Sequence, residues 1–93
     1  MTKYSHTSIL IHMQALDDVV WQLMQAKTKQ EMENLVLGLF TQGEIEEFAR
    51  RLTLVRLLKE GIAQHEIAKR LGVGVATVTR GAKEIKMGRF KYV

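Results

Sequence analysis

The stretch that decides the fold is QHEIAKRLGVGVATVTRGAK, which runs from Gln64 to Lys83. Ala68 is small where two helices would cross, and Gly72 suits the left-handed residue of a tight turn between them. Gly74 is an acceptable N-cap for a second helix. The apolar residues fall where two such helices would touch: Ile67, Leu71, Val73 and Val78. Because several position types agree in one register, the stretch predicts a helix-turn-helix.

The N-terminal part of the chain has a helical pattern. Apolar residues recur at alternating spacings of four and three residues, which is typical of one seam along a helix of about residues 7–27; they are Ile9, Met13, Leu16, Val20 and Leu23. A shorter helix is predicted at about 30–38, with Gly38 ending it and with Leu35, Val36 and Leu39 buried.

A longer central helix is predicted at about 42–60. The sequence TQGE, from Thr41 to Glu44, fits a capping box at its start, and Gly61 closes it. Its apolar residues recur at helical spacing and predict a buried face made of Ile45, Phe48, Leu52, Val55 and Leu58.

The fold class predicted from these patterns is all-α, with about five helices and one domain over residues 1–93. We expect dimerisation helices in 1–40, the central helix in 41–61 and the helix-turn-helix in 62–87. A chain of 93 residues buries too little surface to be very stable alone. The seam on the first helix therefore predicts a homodimer.

Composition excludes several classes of protein. The chain has no cysteine, and thus neither a disulfide framework nor a thiolate metal site. No apolar run approaches the roughly 20 residues that span a bilayer, and Asp17 and Asp18 argue against a signal peptide, so we expect no membrane partner and a cytoplasmic location. His65 has no second ligand at metal-binding spacing, and no nucleophile lies beside a base. We predict neither a metal site, nor a required cofactor, nor an enzyme.

Charge is divided unevenly along the chain. Residues 1–49 carry three lysines and seven acidic residues, whereas residues 50–93 carry eleven basic and three acidic residues. This excess of positive charge in the second half indicates a polyanionic partner, which together with the helix-turn-helix predicts double-stranded operator DNA.

The predicted DNA contacts lie on the two helices of the motif. Small side chains at the start of the second helix would let its backbone approach base edges in the major groove, while lysines would contact phosphates, which position the protein without reading sequence. The candidates are Gln64, His65, Lys69, Val75, Ala76, Thr77, Thr79, Arg80, Lys83 and Lys86. One alternative is a helical protein-interaction module whose basic half binds an acidic partner.

Residues 35–86 resemble the Trp repressor family. The matching elements are LFT at 39–41, ARRL at 49–52 and GVATVTRG at 74–81, of which ATVTRG is the most specific. The resemblance implies an intertwined, all-α homodimer that represses transcription from operator DNA. It also implies a possible aromatic effector, tryptophan or a related molecule, in a pocket between the central and second motif helices. A regulator of this family that needs no ligand is the other alternative.

The resemblance assigns this pocket residue by residue. Arg51 and Arg80 match two arginines that sandwich the indole ring, and Gly81 matches the glycine beside the second of them. Thr41 matches a pocket threonine, and Phe40 replaces a pocket leucine. Alternatively, Arg51 pairs with a neighbouring acidic residue, and Gly81 permits close packing of helices.

Two departures from the family bear on function. Glu84 stands where the family has a serine that binds the ligand's amino group. Because it lies one turn beyond Arg80, we expect the two to pair and tryptophan binding to be weak. His65 stands where the family has an arginine that reads DNA, which predicts a different operator.

Overall fold

A computed structural model describes the backbone of residues 6–93 and the side chains from Leu10 onward. This range holds five helices and no strand, which confirms the all-α fold; none of the helices is long and apolar enough to cross a bilayer. They are α1 (His6–Met24), α2 (Lys29–Leu39), α3 (Gln42–Lys59), α4 (Gln64–Leu71) and α5 (Val75–Lys86). The chain divides into two compact units, Met1–Thr41 and Gln42–Val93.

In the first unit, a capping box fixes the start of α2. The Thr28 hydroxyl accepts a hydrogen bond from the Glu31 backbone N–H at 3.1 Å. The Glu31 carboxylate in turn accepts one from the Lys27 backbone N–H at 3.2 Å. The bond to Thr28 pairs one otherwise unsatisfied donor of the first helical turn, and the bond from Lys27 pairs the donor of the residue before the N-cap. The sequence signal for this cap is Thr28 followed by Glu31 three residues later.

The prediction that Gly38 ends α2 is wrong. The helix runs through this glycine to Leu39, and Phe40 turns the chain into extended backbone with φ −114°. The Phe40 N–H still donates to the Val36 carbonyl at 2.9 Å, so no left-handed glycine is needed. Leu39 is exposed rather than buried, whereas Leu35 and Val36 are half-buried.

The predicted seam lies on α1, but this unit leaves most of it uncovered. Met13, Leu16 and Val20 keep 59%, 63% and 44% of their surface exposed, and only Leu23 is half-buried. The side chain of Ile9 lies outside the described residues. A helix with a continuous exposed apolar face is typical of an element that packs against another chain.

The second unit has a core of its own. Val55, Ile67 and Val78 are fully buried, as the sequence predicts, and Ala68 is 7% exposed. Leu54, which was not predicted, is equally central at 2% exposed. On the predicted face of α3, Ile45, Leu52 and Leu58 are only half-buried and Phe48 is exposed, because the core lies against the C-terminal half of that helix.

Gly61 ends the α3 segment as predicted. Its φ of 84° lies in the left-handed region that favours glycine. The Ile62 N–H donates to the Leu57 carbonyl at 3.2 Å, and the Gly61 N–H donates to the Leu58 carbonyl at 3.0 Å. These two bonds satisfy carbonyls at the helix end in the manner of a Schellman motif. They set the direction in which the chain enters α4.

Candidate DNA interface and adjoining cavity

Helices α4 and α5 form the predicted helix-turn-helix. Gly72 caps α4 in the left-handed region with φ 65°, and the Val73 N–H donates to the Ala68 carbonyl at 3.0 Å. Gly74 is extended with φ −72° and precedes α5 as its N-cap. The buried Ile67 and Val78 hold the two helices together, and Leu71 and Val73 pack beside them. Both glycines therefore occupy the positions that the sequence predicts.

The residues predicted to contact DNA lie along α4 and α5. Gln64 is half-buried, and the other nine are exposed. The exposed residues are His65 and Lys69 on α4, and Val75, Ala76, Thr77, Thr79, Arg80, Lys83 and Lys86 on α5. Their role in binding stays a prediction, since no nucleic acid is present.

One hydrogen bond joins the starts of the two motif helices. The Thr79 hydroxyl lies 2.7 Å from Gln64 Oε1 and 3.1 Å from the Val75 carbonyl. With Oε1 as an acceptor, the two N–H groups on Gln64 Nε2 are left to donate outward. Thr79 thereby orients Gln64, a role that sequence reasoning did not assign to it.

Positive charge on this surface is largely uncompensated within the described part of the chain. Arg70 pairs with Glu66 at 2.9 Å, but no carboxylate from residues 10–93 lies within ion-pair distance of Lys69, Lys83 or Lys86. Free ammonium groups at a surface are suited to contact phosphate.

A cavity of about 400 Å³ lies between α3 and α5, which we call the α3–α5 cavity. Its volume is within the range of about 300–1,000 Å³ that is common for small-molecule sites. It brings together four of the six predicted ligand residues: Arg51, Arg80, Gly81 and Glu84. Its other lining residues are Glu47, Arg50, Leu54, Val73, Thr77 and Phe90. The remaining two predicted residues, Phe40 and Thr41, belong to the first unit, and their role stays a prediction.

Three arginines line this cavity, and only one is paired with an acid. Arg50 Nη1 lies 2.8 Å from Glu47 Oε2. The guanidinium of Arg51 instead lies over the Phe48 ring at 5.8 Å from its centroid, a cation–π distance. Among the described residues, no carboxylate forms an ion pair with Arg51 or Arg80. The alternative of an acid-paired Arg51 therefore fails.

The prediction that Glu84 pairs with Arg80 is wrong. Glu84 Oε2 lies 3.2 Å from Arg89 Nε, and the Arg89 N–H donates to the Glu84 carbonyl at 3.1 Å. The chain turns back after α5 through Gly88, whose φ is 82°, and this turn carries Arg89 to Glu84. The spacing of Arg80 and Glu84 permitted a pair on one helix, but the following turn supplied a different partner.

Gly81 accommodates helix packing within the second unit. A Cβ added there would lie 2.5 Å from Leu54 Cδ2 and 3.6 Å from Leu58 Cδ1. Any side chain would therefore displace α3 or force Leu54 into another rotamer. This bears out the packing alternative for Gly81, which also lines the cavity; contact with a ligand there stays a prediction.

Four residues at or beside the cavity were not predicted from the sequence: Arg50, Leu54, Arg89 and Phe90. Leu54 packs against Gly81 and does not belong to the apolar face predicted for α3. Arg50 is adjacent to Arg51 in the chain, and the resemblance assigned only Arg51 to the pocket. Arg89 and Phe90 belong to MGRFKYV, a stretch too short to carry a periodic signal. Only the glycine at position 81 could have pointed to a large partner on a facing helix.

In the part of the chain that the structure describes, no group of His, Asp or Glu residues could hold a metal ion.

Comparison with known proteins shows which family the chain belongs to. A sequence profile described as Trp repressor protein matches residues 14–93. A Trp operon repressor homolog of Vibrio vulnificus is 38% identical over 73 residues, which cover 72% of this chain and 72% of the relative. The Vibrio cholerae homolog is 40% identical over 63 residues, with 67% and 61% covered, and the Photobacterium profundum homolog is 39% identical over 69 residues, with 73% and 67% covered. No solved structure matches. The chain belongs to the Trp repressor family.

Proposed function

We propose that this protein is a sequence-specific, DNA-binding transcriptional regulator that acts as a repressor. The observation that carries the proposal is the helix-turn-helix of α4 and α5, whose exposed face combines small side chains with uncompensated lysines. Membership of the Trp repressor family and the names of the relatives, Trp operon repressor homologs, support repression as the outcome of binding.

The start of α5 has the shape that the major groove accepts. Ala76 and Thr77 are exposed in its first turn, and neither is large enough to hold the helix away from base edges. The methyl groups of Ala76 and Thr77 can contact thymine methyls, and the Thr77 hydroxyl can donate to or accept from a base. These residues are the proposed base readers.

Phosphate contacts flank the base readers. The lysines at 69, 83 and 86 supply point charges, and Gln64 Nε2 supplies a donor that Thr79 holds in place. Such contacts fix the position of the helix on the duplex but do not select its sequence. The lysines are thus proposed to supply affinity for DNA, and the residues at the start of α5 are proposed to discriminate between DNA sequences.

The protein is proposed to bind as a homodimer. The exposed apolar face of α1 supplies the surface that a second copy would cover. Two helix-turn-helix units related by a two-fold axis reach successive major grooves, about one turn of DNA apart. The operator should therefore be palindromic.

The α3–α5 cavity is the proposed site of a small aromatic effector. Thr77 and Arg80 both line the cavity and belong to the predicted DNA surface. An occupant would contact the recognition helix itself, so that occupancy and operator binding are coupled.

The test compares Thr77→Ala with Lys86→Ala in the binding of a selected operator and of random DNA. Thr77→Ala should reduce the preference for operator by about 1–3 kcal/mol, whereas Lys86→Ala should weaken both by about the same factor. Thr77→Ser keeps the hydroxyl and should restore part of the preference.

Salt dependence completes the test. Binding to both DNAs should weaken linearly on a log–log plot against salt, with a shallower slope for Lys86→Ala, because one phosphate contact is lost. Equal loss of both DNAs in Thr77→Ala would remove this residue as a base reader. Absence of DNA binding at low salt would favour the protein-interaction module.

A further inference from the structure

The residues that follow α5 fold back against the second unit. Residues 87–93, which we call the strap, form turns and contain no helix. Six of these seven residues are exposed, and only Phe90 is half-buried, where it packs against the core of the unit. Because the strap has a single apolar anchor, its position depends on the polar bonds that it makes.

At one end, the strap caps α5. The left-handed Gly88 donates its N–H to the Ile85 carbonyl at 3.0 Å, and the Arg89 N–H donates to the Glu84 carbonyl at 3.1 Å. These two bonds have the pattern of a Schellman motif, which often adds an apolar contact across the helix end. Here an ion pair takes the place of that contact, with Arg89 Nε 3.2 Å from Glu84 Oε2. The strap thereby holds the last turn of α5.

At the other end, a lysine of α3 holds the strap. Lys59 lies in the last turn of α3, and its ammonium group donates to the carbonyl groups of Phe90 and, at 2.8 Å, of Val93. Both acceptors are backbone oxygens, so the two bonds fix the path of the chain and not only the place of one side chain. The strap therefore joins the end of α3 to the end of α5.

We propose that Lys59 is a positioning residue for DNA binding, which acts through the strap to hold Lys83 and Lys86 where they contact phosphate. Both lysines lie in the last turn of α5, the turn that the strap caps. The inference rests on the proposed function and adds a residue outside the helix-turn-helix to it. Lys59 acts through the strap and does not itself touch DNA.

The two ends of α5 are held by different contacts. Its first half is held by Val78, which is fully buried in the core. Its last turn has carbonyl groups without a partner inside the helix, and such turns unwind readily unless they are capped. Loosening the strap would therefore move Lys83 and Lys86 but leave Thr77, a proposed base reader, in place. Affinity for all DNA should fall, whereas the preference for operator should stay.

The experiment measures binding of the protein to random double-stranded DNA at low salt by fluorescence anisotropy. Lys59→Met keeps an unbranched apolar side chain but removes the donors. Its affinity should be about fivefold lower, which corresponds to about 1 kcal/mol, the usual net contribution of a hydrogen bond. Affinity for a selected operator should fall by the same factor, because phosphate contacts do not read sequence. Lys59→Arg keeps the charge and the donors and should recover most of the loss.

Two further variants separate positioning from loss of charge. Arg56→Met removes one positive charge from the same turn of α3, at an exposed residue, and should leave DNA binding nearly unchanged because the strap stays in place. Phe90→Ala removes the apolar anchor of the strap without changing the charge, and should weaken DNA binding as Lys59→Met does. Melting curves of each variant verify that the fold is retained.

A double-mutant cycle locates the effect in the last turn of α5. Replacing Lys83 and Lys86 together with Ala removes the two groups that the strap positions. Adding Lys59→Met to that protein should then cost little further affinity, because no phosphate contact remains for the strap to hold. If Lys59 contacted phosphate itself, its replacement would cost the same with and without the two lysines.

Hydrogen exchange gives a measurement that does not depend on DNA. The amides of Gly88 and Arg89 should exchange at least about fivefold faster in Lys59→Met, because the cap that they form opens more often. The amides of Ile67 and Val78 in the core should exchange at an unchanged rate. A general loss of stability would instead accelerate exchange in the core as well.

Unchanged DNA binding by Lys59→Met would overturn the inference and leave the proposed function in place. The same holds for an equal loss in the presence and absence of the two α5 lysines, or for faster exchange throughout the core. If the natural protein failed to bind random DNA at low salt, the proposed function would fail, and the inference would fail with it.

Discussion

The two units of the chain use their apolar residues differently. The second unit, Gln42–Val93, buries Val55, Ile67 and Val78 completely among its own helices. In the first unit, the described apolar residues of α1 and α2 reach half-burial at most, and Leu16 and Trp21 stay 63% and 59% exposed. Helical periodicity is clear in both units. Periodicity thus identifies the face that will be covered, but does not show whether the same chain covers it.

The largest effect is expected where the first unit leaves its apolar seam open. Replacing Leu16 and Val20 together with Asp should give unfolded or aggregated chain, because two charges would lie in the face that the proposed second copy would bury. The measurement is circular dichroism with analytical ultracentrifugation.

The matched control places the same two charges on α1 outside the seam, as Gln14→Asp with Gln22→Asp. This variant should remain a folded dimer. A soluble, folded, monomeric Leu16→Asp, Val20→Asp protein would show that the second unit's core is sufficient, and that the seam serves another purpose.

Smaller changes in the free energy of unfolding are expected at two helical glycines, one in each unit. The two changes should have opposite signs. Gly81→Ala should lower the free energy of unfolding by about 1–3 kcal/mol, because the new Cβ meets Leu54 Cδ2 at 2.5 Å. Gly38→Ala in α2 meets no atom of the chain within 4 Å, and should raise it by about 0.5–1 kcal/mol through helix propensity.

Urea denaturation at fixed protein concentration measures both glycine variants. If Gly81→Ala were as stabilising as Gly38→Ala, the close approach of α3 to α5 would not limit the size of the side chain at position 81. Gly43→Ala, at the start of α3 with open space around it, separates the effect of packing from that of changing a glycine.

The smallest effect concerns the local bonds that order the first unit. Thr28→Ala should lower the free energy of unfolding by about 1 kcal/mol, because it removes the side-chain acceptor at the start of α2. Thr28→Ser keeps the oxygen and should recover most of the loss. Thermal unfolding of the two variants measures this difference in stability. Equal melting temperatures of Thr28→Ala and Thr28→Ser would mean that the capping box adds nothing to the stability of α2.

The sequence by itself determined the features that depend on near neighbours in the chain. Helical periodicity, together with the conformations that Gly61 and Gly72 require, predicted five helices and the helix-turn-helix. These helical signals need only the spacing of a few residues, because helix geometry repeats every 3.6 residues. That Arg51 and Arg80 share a site was predicted by the resemblance to the family, through ARRL and ATVTRG, and not by spacing.

Tertiary structure alone decided the features that join distant parts of the chain. Leu54 is central because it packs against Gly81 on another helix. Glu84 pairs with Arg89 because the chain reverses at Gly88. Lys59 on α3 then holds this segment by a hydrogen bond to the Val93 carbonyl. Spacing on one helix allowed Glu84 to pair with Arg80 equally well. A side chain's partner is chosen by distance in space, and for surface charges that distance is set by the path of the backbone rather than by the pattern of the sequence.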